Sequence, residues 1–280
     1  MGFSQTSHSD FHSNTTRTIS ITSGKGGVGK TSIVVNLAKI LNKRGYRVLI
    51  LDGDLGMANV DIMLNVRSKK NIYDVISGGV GIHEILVEVS EGLTLIPGGS
   101  GLYDLQNLTV FERQFLLDQV SSLGERYDYM LIDTSPGIDN NVLYLNAAAQ
   151  EICVVVNPDP SSFADSYSLI KVLNQRCREN RFSIICNQVR DDQEGVKLFG
   201  KLNDVVQKFL YVSLEYKGAI PSDLNLRQAT KNQQLVSETY PQSQASLALS
   251  KLAQKFESYQ SLDECKGSLQ FFWEQLVGVA

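Results

Sequence analysis

The sequence has few cysteines, and they are not clustered. Cys153, Cys177, Cys186 and Cys265 are far apart, and no two of them form a C-x-x-C motif. This spacing argues against an iron–sulfur cluster, which needs several thiolates close together. It is typical of small buried side chains in a reducing compartment.

Long apolar runs and basic blocks are also missing. No run approaches the roughly 20 apolar residues that a membrane-spanning helix needs, and the first residues contain no apolar signal core, so we expect a cytoplasmic protein. Acidic residues exceed basic ones, 30 to 26, for a net charge of −4 over 280 residues. Because non-specific DNA binding depends on neutralising phosphates, we expect no direct contact with nucleic acid.

A phosphate-binding loop is the strongest positive signal. Thr18–Thr22 is rich in β-branched residues and predicts a strand, and the apolar spacing of 32–41 predicts a helix. Between them, Gly24–Thr31 matches glycine, four residues, then glycine, lysine and threonine. Such a loop turns backbone N–H groups toward an anion at a helix N-terminus. The pattern assigns Lys30 to the β- and γ-phosphates of a nucleotide and the Thr31 hydroxyl to Mg²⁺.

Carboxylates follow two further predicted strands. Asp52 ends the apolar run 47–52, with Asp54 two residues later, and Asp133 ends the run 127–133 before a Ser-Pro-Gly turn. Ligands of open α/β sheets lie beyond the carboxyl ends of the strands, so these side chains should face the nucleotide. Asp133 stands where a Walker B aspartate would contact Mg²⁺ through water.

The order of predicted elements indicates a doubly wound, mainly parallel α/β sheet with helices on both faces. Further strands are expected at 92–97, 151–157 and 181–187, and a strand pair near 209–220. Helices are expected at 72–77, 82–88, 109–123, 191–208 and 244–259. A further helix is expected to be capped by Ser161 or Ser162 and to run to about Cys177. We divide the chain into a mobile tail (1–17), a P-loop domain (18–260), and a linker with a C-terminal helix (261–280).

The loop sequence Lys25-Gly26-Gly27-Val28-Gly29-Lys30-Thr31 resembles the deviant Walker A signature of the MinD/ParA family, a branch of the SIMIBI class of P-loop NTPases. In that family the extra lysine, here Lys25, reaches the nucleotide of a partner subunit. The resemblance therefore implies an ATP-dependent homodimer. It also implies that Ser32 and the loop residues Gly24 to Thr31 bind nucleotide, with Lys25, Lys30 and Asp54 in catalytic roles.

Further matches extend the resemblance over about residues 17–260. The run from Asp52 to Asp61 is similar to switch I, which implies that Asp52 belongs to the Mg²⁺ shell and that Asp54 orients the attacking water. By likeness to switch II, the Gly137 N–H senses the γ-phosphate. Asn187 and the turn containing Pro221 and Asp223 stand where relatives bind adenine. ATP and Mg²⁺ are the implied ligands.

The C-terminal segment carries one apolar stripe at helical spacing: Leu269, Phe272, Trp273, Leu276 and Val277. A stripe with such bulky side chains is costly to leave in water. We expect it to lie in a membrane interface as an amphipathic anchor, which places the protein reversibly on the inner face of the cytoplasmic membrane. The alternative is that it folds back onto the domain, in the resting state at least.

Within the family, the sequence is most similar to the flagellar-number regulators of the FlhG/FleN group. That likeness implies a slow, regulatory ATPase that acts on the SRP-type GTPase FlhF and on a flagellar transcription activator. One departure is that the tail has no recognisable DQAxxLR element, which many such regulators use to stimulate the GTPase. The alternatives are a division-site or ParA-type partitioning ATPase of the same fold, and a scaffold that binds nucleotide without hydrolysing it.

Overall fold

The computed structural model describes residues 16–54, 59–99, 108–123, 126–258 and 268–278. The expected tail lies outside these ranges except for Thr16 and Arg17, and so does the expected linker except for Ser268. Residues 55–58 of the predicted switch I segment are likewise outside them.

A central sheet organises the described chain. Its strands are β1 (Arg17–Thr22), β2 (Val48–Gly53), β3 (Val87–Ser90), β4 (Leu93–Ile96), β5 (Tyr129–Thr134), β6 (Glu151–Val156), β7 (Arg181–Val189) and β8 (Ser213–Pro221). Their order is β3-β4-β2-β5-β1-β6-β7-β8, and every pairing is parallel except β3 with β4. The predicted doubly wound, mainly parallel sheet is confirmed.

Helices cover both faces of this sheet. They are α1 (Lys30–Lys43), α2 (Val60–Met63), α3 (Ile72–Ile76), α4 (Ile82–Ile85), α5 (Val110–Ser121), α6 (Asn140–Ala148), α7 (Pro160–Cys177), α8 (Asp192–Phe209), α9 (Leu224–Lys231), α10 (Val236–Thr239), α11 (Gln244–Ser258) and α12 (Leu269–Leu276). The inner strands β1, β2, β5 and β6 are buried along almost their whole length. Burial on both faces explains the continuous apolar runs of β2, β5 and β6.

Three local predictions were wrong, and one helix was not predicted. The helix predicted to Glu88 ends at Ile85, and Val87–Ser90 forms an antiparallel edge strand. Helix α6 was not predicted, and the expected strand pair near 209–220 is the single strand β8. The side chain that caps α7 is Asp159, which accepts hydrogen bonds from the backbone N–H groups of Ser161 and Ser162.

The C-terminal helix packs on the domain, so the expectation of an exposed membrane anchor is corrected for this conformation. The side chains of Leu269, Phe272, Trp273, Leu276 and Val277 are at most 4% exposed, in one apolar cluster with α5 and α6. Burial removes the same stripe from water that a membrane would cover. Among the described residues, no helix is long and apolar enough to cross a bilayer.

Candidate functional site

The phosphate loop lies between β1 and α1, and its glycines permit a shape that larger residues would not adopt. Gly27 and Gly29 have φ angles of 76° and 94°, in the left-handed region that favours glycine. A Cβ on Gly24 would lie 2.2 Å from the backbone of Asp165 in α7. The tight packing therefore fixes where the loop begins.

Lys30 is the buried cation of this loop. Lys30 is only 7% exposed, and its Nζ donates to Ser23 Oγ over 3.0 Å. Burial lowers the pKa of Lys30, and the nearby carboxylates of Asp133 and Asp54 partly offset that shift. An anionic phosphate in the loop would stabilise the charged ammonium further.

Oxygen atoms of Thr31, Asp52 and Asp133 gather beside the loop. Asp52 and Asp133 are register partners on adjacent strands β2 and β5, and Thr31 Oγ1 donates to Asp133 Oδ2 over 2.6 Å. Burial raises the pKa of Asp52 and of Asp133 to about 7, because the charged form loses its hydration. Asp133 Oδ1 is buried with no hydrogen-bond partner among the described residues.

This donor set fits a hard divalent cation. Mg²⁺ prefers oxygen ligands and is usually held by one or two carboxylates together with substrate phosphates. A cation would neutralise the two buried carboxylates and would give the orphaned Asp133 oxygen a role. Within the described ranges, no group of three or more His, Cys, Asp and Glu side chains forms a metal cage, so the remaining ligands would come from the nucleotide and water.

Asp54 lies at the mouth of the site, held by a contact that the sequence did not predict. Ser135 Oγ donates to Asp54 Oδ1 over 2.9 Å, and the Asp54 N–H donates to Asp52 Oδ1 over 3.1 Å. The two residues of the first contact are 81 positions apart, and no local pattern pairs them. The only available signal was that both follow strands that parallel pairing brings side by side.

Gly137 differs from its expected role in this conformation. Its N–H donates to the backbone oxygen of Ser23 over 2.9 Å. The N–H that was expected to sense the γ-phosphate is therefore already bound to the residue that precedes the phosphate loop. Sensing would require this bond to be exchanged.

A cavity of about 370 Å³ adjoins the loop at the ends of β7 and β8. It is lined by Gly29, Ser32, Asn187, Pro221 and Asp223, among others, so the residues expected to bind adenine meet here. Asn187 Nδ2 donates to the Val28 oxygen over 2.6 Å, while its Oδ1 is buried and unpaired in the described part of the chain. Asn187, which lines the cavity, thus has one unused acceptor.

Both oxygens of the Asp223 carboxylate accept hydrogen bonds from backbone N–H groups. It accepts from the N–H of Asn225, at the start of α9, and from the N–H of Ala245, at the start of α11. A carboxylate at a helix N-terminus satisfies donors that the helix leaves unpaired. Asp223 therefore shapes the cavity by fixing two helices, and its side chain does not present a free oxygen to the base.

Lys25 lies at the exposed rim of the site. Its Nζ lies 3.3 Å from Asp159 Oδ1 and also donates to Ser161 Oγ. The side chains of Lys25 and Asp159 are 40% and 47% exposed, so the pair is weakly held. The sequence had not predicted this contact with the cap of α7.

Comparison with known proteins places this site in a family. An AAA domain model (AAA_31) matches residues 16–184. The antiactivator FleN of Pseudomonas aeruginosa is 40% identical over 92% of both chains. The flagellum site-determining protein YlxH of Helicobacter pylori is 34% identical over 94% of this chain and 90% of its own. The septum site-determining protein MinD of Pyrococcus horikoshii, solved with Mg-ADP, is 27% identical with a TM-score of 0.66, over 87% of this chain and 96% of that one.

Proposed function

The chain belongs to the MinD/ParA family of P-loop ATPases, near the FlhG/FleN flagellar regulators, and from that premise we propose a specific function. It is an ATP-driven switch that dimerises with ATP, associates reversibly with the membrane, and regulates flagellar number and placement. Hydrolysis of ATP to ADP and phosphate resets it. The observation that carries the proposal is the buried Lys30 of the glycine loop, near enough to Asp133 to feel its charge, together with the buried Oδ1 of Asp133 that has no partner among the described residues.

The proposed nucleotide site follows from that pair. The backbone of Gly24, Gly26, Gly27, Val28 and Gly29 wraps the phosphates, and Lys30 neutralises the β- and γ-phosphate oxygens. Thr31, Asp52 and Asp133 would hold Mg²⁺, whose chemistry here is to polarise the phosphoryl oxygens and balance the charge that develops on them.

The base site favours adenine over guanine. The unpaired Oδ1 of Asn187 is an acceptor, and the 6-amino group of adenine is a donor, whereas guanine presents an oxygen at that position. An acceptor facing an acceptor leaves both groups unpaired and costs binding free energy. Ser32 and Pro221 contribute the walls of the same cavity.

Hydrolysis needs a group that orients water. We assign that role to Asp54, which accepts a hydrogen bond from the water and directs an oxygen lone pair at the γ-phosphorus. A bond forms between the water oxygen and phosphorus, while the bond from phosphorus to the bridging oxygen breaks and its electron pair leaves on ADP. The water proton passes to Asp54 or to the released phosphate.

Dimerisation assigns a role to the exposed Lys25. Its contact with Asp159 is solvent-accessible and worth little, so a triphosphate on a second subunit can compete for the ammonium. Two subunits then close face to face, and each Lys25 neutralises charge on the other's nucleotide. Loss of the γ-phosphate, after which the Gly137 N–H returns to the Ser23 oxygen, reopens the pair.

Membrane association requires α12 to leave the domain. The docked helix represents the resting state, and its docking is imperfect because the buried Trp273 Nε1–H has no acceptor among the residues described. A buried unpaired donor costs about 1–3 kcal/mol. Two released helices in one dimer bind a bilayer more strongly than a single helix, through effective concentration. Residues 18–260 then act as the ATPase domain and 261–280 as its detachable segment.

The flagellar role rests on the relatives. The P. aeruginosa relative is an antiactivator and the H. pylori relative is a flagellum site-determining protein. Both activities, restraint of a transcription activator and placement of an organelle, suit a switch that changes its surface with nucleotide. The proposed partners are therefore a flagellar transcription activator and the GTPase FlhF.

Gel filtration combined with phosphate release tests this proposal. Wild-type protein should elute as a monomer with ADP and as a dimer with ATP, and Asp54→Ala should lock the dimer and release almost no phosphate. A monomer under all conditions, or phosphate release unaffected by Asp54→Ala, would contradict the switch.

A further inference from the structure

The contact between Ser135 and Asp54 joins the two loops that follow the central strands β5 and β2. Ser135 Oγ donates to Asp54 Oδ1 over 2.9 Å, across 81 positions of sequence. Both residues are half-buried beside the phosphate loop. The proposed catalytic carboxylate is therefore held by a side chain from a different segment of the site.

We propose that Ser135 is a positioning residue for ATP hydrolysis: its hydroxyl holds the Asp54 carboxylate in the orientation that directs water to the γ-phosphorus. The inference rests on the proposed function, because it assumes that Asp54 orients the water. It adds a residue from the β5 loop to that step, and it links the two switch segments through one hydrogen bond.

The donor itself is rigidly placed. On one side of Ser135, the buried Thr134 Oγ1 donates to Thr22 Oγ1 over 2.9 Å. On the other side, Gly137 N–H donates to the Ser23 oxygen over 2.9 Å, and Pro136 restricts the backbone between them. The hydroxyl thus sits on a segment fixed at both ends to β1 and the start of the phosphate loop.

The acceptor is fixed at its backbone, and Ser135 adds a contact to its side chain. The Asp54 N–H donates to Asp52 Oδ1 over 3.1 Å, which fixes the main chain, whereas the orientation of the carboxylate plane depends on the groups that contact its oxygens. The Ser135 hydroxyl is one such group, and it uses one of about four lone-pair sites on the carboxylate.

This arrangement also connects hydrolysis to the state of the phosphate loop. The segment that carries Ser135 is bonded to Ser23, whose hydroxyl accepts from Lys30 over 3.0 Å. A γ-phosphate that draws Lys30 or Gly137 toward itself therefore acts on the segment that carries the donor. The hydrogen bond to Asp54 is thus linked to the group that the carboxylate helps to cleave.

A double-mutant cycle with rescue tests the inference on the full chain. We expect Ser135→Ala to lower kcat for phosphate release about ten- to hundredfold, since a misplacement of about 1 Å can cost that much, with the KM for ATP within about twofold. Ser135→Thr, which keeps the hydroxyl, should retain most of the rate. In an Asp54→Ala background, followed at high protein concentration so that the residual rate is measurable, Ser135→Ala should cause no further loss.

Each outcome separates the inference from the function on which it rests. If Asp54→Ala abolishes turnover but Ser135→Ala leaves kcat unchanged, the positioning role is wrong and the proposed function stands. If Ser135→Ala lowers the rate by the same factor with and without Asp54, the serine is merely structural. If Asp54→Ala itself has the wild-type kcat, the water-orienting step fails and the positioning role fails with it.

Discussion

Weakening the docking site of α12, without changing α12 itself, should expose the C-terminal helix in the absence of ATP. Leu117 on α5 is suited to this perturbation. It is 6% exposed and belongs to the apolar cluster that also contains the buried face of α12. One turn along α5, Ser121 Oγ donates to Gln270 of α12 over 2.6 Å, so this part of α5 adjoins the docked helix. We therefore predict that Leu117→Ala undocks α12.

The magnitude follows from the small margin by which the helix is held. Burial of its five apolar side chains stabilises docking by about 10 kcal/mol, and ordering the backbone and side chains of the segment costs about as much. The unpaired Trp273 N–H adds a further cost to the docked state. Leu→Ala in a packed core costs about 2–5 kcal/mol, which shifts a two-state equilibrium by about 30-fold or more.

The assay uses a natural probe, because Trp273 is the single tryptophan of the chain. It is fully buried in the docked state. Without nucleotide, Leu117→Ala should shift its emission to longer wavelength and should make the protein sediment with anionic lipid vesicles. Wild type should show both changes only with ATP. Leu173→Ala is the matched control, since Leu173 is also buried but lies in the separate cluster around α7.

Two results would refute this reasoning. Trp273 emission in Leu117→Ala could stay at the wild-type wavelength while circular dichroism shows a folded domain. That result would mean that the docked helix is held by much more than the free energy that Leu117→Ala removes. Alternatively, Leu173→Ala could produce the same shift, which would mean that general loss of stability, and not loss of the docking site, releases the helix.

Three further predictions concern the nucleotide site. Lys25→Ala should abolish the ATP-dependent dimer in gel filtration, whereas Lys43→Ala, which removes a lysine at the exposed end of α1, should leave it intact; a persistent Lys25→Ala dimer would contradict the cross-subunit role. Asn187→Leu should weaken ATP binding about tenfold and bring ATP and GTP affinities closer in calorimetry, and unchanged selectivity would contradict the base assignment. Burial raises the pKa of Asp52 and Asp133 to about 7 from 3.8, so unfolding releases protons between about pH 4 and 7, and the free energy of unfolding falls as pH rises through that window. Nucleotide-free protein should therefore melt at a higher temperature at pH 6 than at pH 8, and Asp133→Asn should reduce the difference. An opposite slope would count against the buried carboxylate pair.

Much of the fold could be predicted because its signals are local. Strands β2, β5 and β6 contain continuous apolar runs, β1 is rich in β-branched residues, and α1 starts at the phosphate loop, so their positions follow from short stretches of sequence. Prediction failed at β3 and α6. Val87–Ser90 is a short edge strand that pairs only with β4, and such pairing is a tertiary property. Helix α6 is apolar on most sides and so lacks an amphipathic period.

The same division applies to the candidate site. Lys30, Thr31, Asp52 and Asp133 could be identified because each stands at a strand end or in the glycine loop. Contacts between distant segments could not, since their partners depend on which strand ends become neighbours. The hydrogen bond from Ser135 to Asp54 and the contact of Lys25 with Asp159 are of this kind.

By itself, the sequence determined that this chain folds as a doubly wound sheet around a phosphate loop, because glycine, lysine and threonine at fixed spacing leave few alternatives. It also determined that the C-terminal stripe must be covered. Only the tertiary structure decided what covers it in this state. Sequence spacing gives a helix its apolar face, but the choice between a bilayer and α5 with α6 depends on whether the folded domain offers a complementary surface, and here it does.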